Sequence, residues 1–263
     1  MQRQAAGYYA DIASQMVPGT VGKVSRGARA VWIKRASQDK SKIWHGMQYL
    51  CSFVVLNPIV RPTVSAGGVE SLAAEAARLE AFADAGIYVP NILQRGEDFL
   101  VLSDAGVELK SHLSALGNEQ HAQRTALLKR AVKELARLHE AGFVHGRPHL
   151  KDMVYDRGRN VIGFLDLEED PLAVMPAEHA QSRDIWLFLC SAARYLKAGP
   201  QEVEALYTLY LSERGMPPLR PLRGLVRLLA PLCWIVRRLA YNHVGKDVRH
   251  VILVNEALAL LCL

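Results

Sequence analysis

Leu138-His139-Glu140-Ala141-Gly142-Phe143-Val144-His145-Gly146-Arg147-Pro148-His149-Leu150-Lys151-Asp152 is the stretch on which the fold of this chain turns. Before it runs Gln120–Ala141, where Leu128, Val132, Leu135 and Leu138 recur at three- and four-residue intervals. That spacing predicts an amphipathic helix. After it come two short apolar runs, Met153–Tyr155 and Val161–Leu165, around the turn-forming Asp156–Asn160. They predict a β-hairpin that ends in Phe164-Leu165-Asp166-Leu167-Glu168. Helix, histidine-bearing loop and hairpin therefore follow in that order.

Upstream the texture is different. Thr20–Ser25 and Ala30–Arg35 are β-prone runs around Arg26-Gly27, a hairpin signal. Gly67-Gly68 precedes Val69–Ala85, an alanine-rich helix closed by Gly86, with Leu72, Ala76, Leu79 and Ala83 as its expected apolar face. Val89-Pro90 leads into two further strands, Asn91–Gln94 and Asp98–Ser103, joined across Arg95-Gly96. Asp104-Ala105-Gly106 reads as a linker. From Arg183 onward the chain reads helical, with breaks expected at Pro217-Pro218, Pro221 and Pro231. The expected fold is α+β and bilobal: a small β-rich lobe with one helix over residues 1–102, and a larger helical lobe with one β-hairpin over 103–263. Ile43–Val60 is a long apolar insertion in the small lobe.

Composition narrows the function classes. The chain has 263 residues, 50% hydrophobic and 22% charged, which excludes disorder as its main state. Lys+Arg 32 against Asp+Glu 26 leaves a net charge of +6, suited to anionic partners. Cys51, Cys190, Cys233 and Cys262 are scattered, with no CxxC. Reduced thiols are expected, and structural zinc is not. The apolar stretches are broken, Met47–Val60 by Asn57 and Pro58, and Leu222–Ala240 by arginines. No membrane-spanning helix is expected. Aromatics at 7% and the lack of a recognised module argue against nucleic acid.

The quoted loop resembles the catalytic loop of protein-kinase-like folds, H-R-D-x-x-x-x-N, and Asp166 the metal-binding Asp of D-F-G. His145 stands in the His place, Arg147 in the place of the catalytic Asp, and Asp152 in that of the Asn. Asp152 follows Arg147 by five residues and Asp166 follows it by nineteen, as in that pattern. Val31-Trp32-Ile33-Lys34 has the form V-A-I-K, whose lysine contacts nucleotide phosphates. Glu75, in the helix that follows, matches the glutamate that orients it. Arg183-Asp184-Ile185-Trp186 is similar to the segment whose Asp holds the loop backbone. Taken together, over roughly residues 20 to 190, the chain resembles the bacterial lipopolysaccharide-core kinase family. This covers the heptose and 3-deoxy-octulosonic-acid kinases. The resemblance implies a kinase-like fold and phosphoryl transfer to a hydroxyl of a lipopolysaccharide sugar or related envelope glycan. It also implies ATP with Mg²⁺, and a cytoplasmic site peripheral to the inner membrane. Lys34 and Glu75 would hold the nucleotide and Asp152 and Asp166 the metal. Asp152, Arg147 and His145 are the candidate catalytic residues: Asp152 would also approach the acceptor hydroxyl, Arg147 would stabilise the transferring charge or bind an anionic acceptor, and His145 would steady the loop.

Two departures keep a second class open. Arg147 cannot accept a proton at neutral pH, and Gly19, Gly22 and Gly27 do not form G-x-G-x-x-G. A pseudokinase scaffold that binds nucleotide or a partner without turnover is the alternative. Glu168 and Glu169 are read as a solvated turn. Arg220, Arg223, Arg227, Arg237 and Arg238 alternate with leucines. That pattern suits either an anionic membrane surface or ordinary packing of the helical lobe.

Overall fold

The computed structural model describes residues 2–26, 29–37, 63, 67–197, 199–215 and 220–262. The Ile43–Val60 insertion and Pro217-Pro218 lie outside them. The molecule is α+β, with a small antiparallel sheet and a helical part.

A helix that the sequence reading missed, α1 (Gln2–Gln15), opens the chain. Strands β1 (Val21–Arg26) and β2 (Arg29–Arg35) pair antiparallel, with Val21 opposite Lys34. Helix α2 (Gly68–Asp84) is followed by β3 (Ile92–Arg95) and β4 (Phe99–Ser103). The sheet order is β1-β2-β4-β3. Successive side chains of a strand point to opposite faces. Val31 and Ile33 of β2 and Phe99 and Val101 of β4 therefore face one way, and α1 covers them with Tyr9, Ile12 and Ala13, joined by Met16 just after it. Leu100 and Leu102 face the other way, into the main core under α2. Trp32 and Lys34 have the parity of that second face. α1 is thus why β4 is buried on both sides, a burial no single-faced sheet would give.

On α2, Leu72, Glu75, Ala76, Leu79 and Phe82 form the buried stripe at helical spacing. One carboxylate sits in the middle of an otherwise apolar face.

The second sheet joins β5 (Val107–Glu108), β6 (Met153–Asp156) and β7 (Val161–Phe164) in the order β5-β6-β7. The β6–β7 hairpin is the one expected, and Met153 lies opposite Phe164. Neither β5 nor the short α3 (Leu109–Ala115) was legible in the sequence. α4 (His121–Glu140) buries Leu128, Val132, Leu135 and Leu138. α5 (Ala177–Ala192) and α6 (Pro200–Arg214) pack on it, α7 (Arg220–Leu239) packs on α5, and α8 (Lys246–Cys262) packs on α5, α6 and α7. Pro221 and Pro231 do not break the chain as expected, because both lie inside α7. Pro221 falls in the first turn, where a missing N–H costs nothing; Pro231 forgoes one backbone bond.

The two sheets meet at a seam. Phe164 N donates to the Tyr88 carbonyl at 3.0 Å. Gly163 permits this approach, since a Cβ there would lie 2.3 Å from that same oxygen. The Tyr88 hydroxyl donates to Asp156 at 2.9 Å and lies 3.3 Å from the Ala105 carbonyl. Gly106, at φ +122°, is pressed against β6, where a Cβ would lie 2.6 Å from the Tyr155 carbonyl. The expected linker Asp104–Gly106 runs along this seam. Asp104 is itself tied back to β1 by Lys23 at 2.7 Å.

Candidate active site

Lys34 is the centre of the site. Strand parity turns it toward α2, and its Nζ lies 2.8 Å and 3.0 Å from the two carboxylate oxygens of Glu75. It also lies 3.1 Å from Asp166 and 2.6 Å from Glu168. Burial opposes the charge on Lys34, but Glu75, Asp166 and Glu168 outweigh it and raise its pKa. Burial likewise pushes the Glu75 carboxyl up, against the pull of Lys34. The two directions agree physically: three carboxylates hold the proton on one ammonium, while the share of that ammonium that falls to Glu75 does not offset its burial.

Glu168 therefore corrects the sequence expectation of a solvated turn. Glu169 does too: it pairs with Arg183 at 3.0 Å, bonds Thr63, and lies 3.8 Å from Arg147. The backbone after Asp166 folds back over the lysine, which the spacing alone did not show.

Asp166 sits just beyond β7 with φ +57°. A non-glycine residue pays roughly 1–3 kcal/mol for that region, and such outliers gather at working sites. Its Oδ1 meets Lys34 and its Oδ2 meets Arg147 Nη2 at 3.2 Å. Burial would raise its pKa, but Lys34 and Arg147 prevail and hold it below the usual carboxylate range. Arg147 thus points into the site and neutralises part of it.

Asp152 closes the far side. One of its oxygens is buried without a hydrogen-bond partner, while Lys151 stands 3.8 Å from the other. Burial, helped by Asp166 and opposed by Lys151, pushes its carboxyl up to about 6. Asp152 and Asp166 both line a cleft of about 450 Å³, with Lys34, Glu75 and Glu168. Trp32, Leu102, Val154 and Leu165 supply its apolar walls, and Gly19 borders it.

No protein-family model matches this chain, and no curated protein does.

Behind the cleft the loop is held by a buried polar network. Asp184 accepts from His145 N at 2.6 Å, Gly146 N at 2.9 Å and His139 Nε2 at 3.2 Å. With that proton on Nε2, His139 Nδ1 accepts from the Tyr210 hydroxyl at 2.6 Å. The His145 ring is fixed the same way. Arg147 N donates to its Nδ1 at 3.3 Å, so its Nε2 donates to the Leu165 carbonyl at 2.9 Å. Burial holds both histidines below their ordinary pKa, hence neutral. His145 acts on position, joining the loop to the strand that delivers Asp166.

Arg78 was missed. Its guanidinium donates to the carbonyls of Leu167 at 2.8 Å, Val144 at 2.5 Å, His145 at 3.3 Å and Glu169. It fastens α2 to both the loop and the segment after Asp166. Its place three residues after Glu75, on the same helix face, was the available signal.

Asp152 and Asp166 are the residues that could hold a cation. Two carboxylates face one cleft, and one has an unpartnered buried oxygen. Among the described residues no group of three or more His, Cys, Asp or Glu could hold a metal by itself. Mg²⁺ needs only one or two carboxylates when phosphates and water complete its shell.

A second cavity of about 540 Å³ opens beside the first, and Lys151 lines both. Lys110, Arg194 and His250 also line it, with Asp247 as its one acidic residue. Neither Lys110 nor Arg194 has an ion-pair partner among the described residues.

Proposed function

We propose that this chain is a bilobal, protein-kinase-like phosphotransferase that moves the γ-phosphoryl group of ATP to a hydroxyl of an envelope glycan. The observation that carries this is Lys34, held by Glu75 from α2 and by Asp166 from the end of β7. The apolar walls of the cleft suit a flat heteroaromatic base. Lys34 would then lie against the phosphates, exchanging Asp166 and Glu168 for phosphate oxygens while Glu75 keeps it aligned. Asp152 and Asp166 would hold Mg²⁺, which supplies charge neutralisation along the phosphates. The acceptor would sit in the cavity beyond Lys151, whose Lys110 and Arg194 suit the acidic groups of a lipopolysaccharide-type sugar.

No base occupies the usual position. Arg147 offers a permanent charge and a planar fork to the transferring group. Phosphoryl transfer depends mainly on positioning and charge stabilisation, so such a site can turn over without a strong base. Asp152, next to the Lys151 that borders the acceptor cavity, would approach the acceptor hydroxyl while it holds the metal.

The second reading is the pseudokinase. The 3.2 Å contact of Arg147 with Asp166 favours it, because that contact competes with a cation for the same carboxylate. Turnover of Mg-ATP, with and without glycan acceptors, tests the choice. Acceptor-dependent ADP release that Asp166→Asn abolishes supports the transferase. Nucleotide binding without turnover in any condition, and no gain in Arg147→Asp, leaves the scaffold.

A further inference from the structure

α7 is the feature that the proposed reaction does not use. Its twenty residues carry five arginines and no acidic residue. Leu222, Leu225, Val226 and Cys233 pack inward against the helical part. At about 100° per residue, Leu228, Leu232, Ile235 and Leu239 fall together on a different side. They are 50%, 58%, 45% and 77% exposed. Arg220, Arg227 and Arg238 fall on the neighbouring stripe, with Trp234 beside them, 69% exposed.

Single exposed leucines are ordinary on protein surfaces. Four on successive turns, bordered by a line of arginines, are not. The sequence left packing and membrane contact as two readings of this segment. The burial pattern divides them: among the described residues, the helical part buries the inner stripe and leaves the outer one between 45% and 77% exposed.

The charges select the occupant. Arg220, Arg227 and Arg238 have no ion-pair partner among the described residues. A second copy docked stripe to stripe would bring these arginines near their own counterparts. An anionic bilayer takes both stripes at once, leucines among the acyl chains and guanidinium groups at the phosphates. α7 is about 30 Å long but does not span, since no helix among the described residues is long and apolar enough to cross a membrane. Its place is flat in the interface.

We infer that α7 is an interfacial anchor: Leu228, Leu232, Ile235 and Leu239 enter an anionic bilayer, and Arg220, Arg227 and Arg238 bind its phosphates. This goes beyond the phosphotransferase reading and does not depend on it.

Flotation of the full chain with phosphatidylcholine vesicles, with and without phosphatidylglycerol, tests the anchor. Binding is expected with phosphatidylglycerol, and it falls as salt rises. Leu232→Ser with Leu239→Ser should weaken partitioning at least about tenfold, while circular dichroism and the thermal midpoint stay near wild type, because both side chains are exposed. Arg227→Gln with Arg238→Gln should lose about as much, on phosphatidylglycerol vesicles only. Equal recovery on both vesicle types, or unchanged binding in both variants, overturns the inference. So does a dimer in sedimentation without vesicles that the leucine variants dissociate, since the stripe would then be covered by a second copy.

Discussion

Asp184 and Asp166 lie on opposite sides of one loop and live in opposite ways. Asp184 is fully buried and receives three N–H donors, two of them from the loop backbone. Its neighbours His139 and His145 are neutral. Asp166 faces the cleft at a strained φ, shares Lys34 with two other carboxylates, and takes Arg147 as well. The rear of the loop is a satisfied network and the front is a crowd of charges that lack enough counter-charge. Satisfaction holds shape at the rear, and the excess of carboxylates at the front is what the proposed cation would relieve.

The contrast breaks most sharply at Asp184. Asp184→Ala would leave the buried N–H groups of His145 and Gly146 without acceptors. A loss of about 3–5 kcal/mol in urea unfolding is expected. A loss below about 1 kcal/mol would mean that the rear network does not hold the loop.

Next is Lys34→Met, which strands Glu75 at 2% exposure. The cost should be about 2–4 kcal/mol at pH 7. Without the lysine, the raised carboxyl pKa of Glu75 rises further. A carboxyl raised on folding stabilises below its unfolded pKa, and that gain is lost as pH climbs. The deficit should therefore shrink in acid, and Lys34→Met with Glu75→Leu should recover most of it. A deficit that does not change with pH would show that Glu75 was not relying on Lys34.

Asp152 follows the same sign. Its carboxyl stands at about 6 in the fold against an ordinary 3.8, so its contribution is complete below the lower value and gone above the higher. Asp152→Asn should match wild type near pH 4 and exceed it above pH 6 by on the order of 2 kcal/mol. Unfolding midpoints across that range check it, and parallel profiles would refute the burial argument.

Asp166→Asn should move stability least, within about 1 kcal/mol, because Asn tolerates a left-handed backbone. Calorimetry should instead show weaker Mg-ATP binding with less dependence on magnesium. A large stability loss with unchanged binding would make Asp166 a second Asp184.

Much of this arrangement was legible because it is local. The two apolar runs around Asp156–Asn160 predicted the hairpin after the loop, and α2, α4 and the strands fell close to their expected bounds. The pairing of Lys34 with Glu75 was expected as well, and strand parity delivers it. What escaped depends on distant surfaces. α1 has a mixed composition that declares itself only against the far side of β2 and β4. Pro231 looked like a break because propensity ignores the packing that carries a helix through it. Glu168 and Glu169 looked solvated because nothing nearby in sequence reveals that Lys34, Arg147 and Arg183 arrive from elsewhere. Arg78 satisfies four carbonyls that the sequence cannot show to be in need.

The seam at Tyr88 bears on whether the chain can be divided. Tyr88 belongs by position to residues 1–102, yet its carbonyl serves Phe164 and its hydroxyl serves Asp156. Severed at the linker, the fragment 103–263 would show Gly163 as bare backbone to water and leave the Phe164 amide wanting. The fragment 1–102 would carry a tyrosine and an arginine, Arg78, with their docking ends empty. The halves are grafted rather than modular. Moved onto another protein, either half would have to find new partners for these groups.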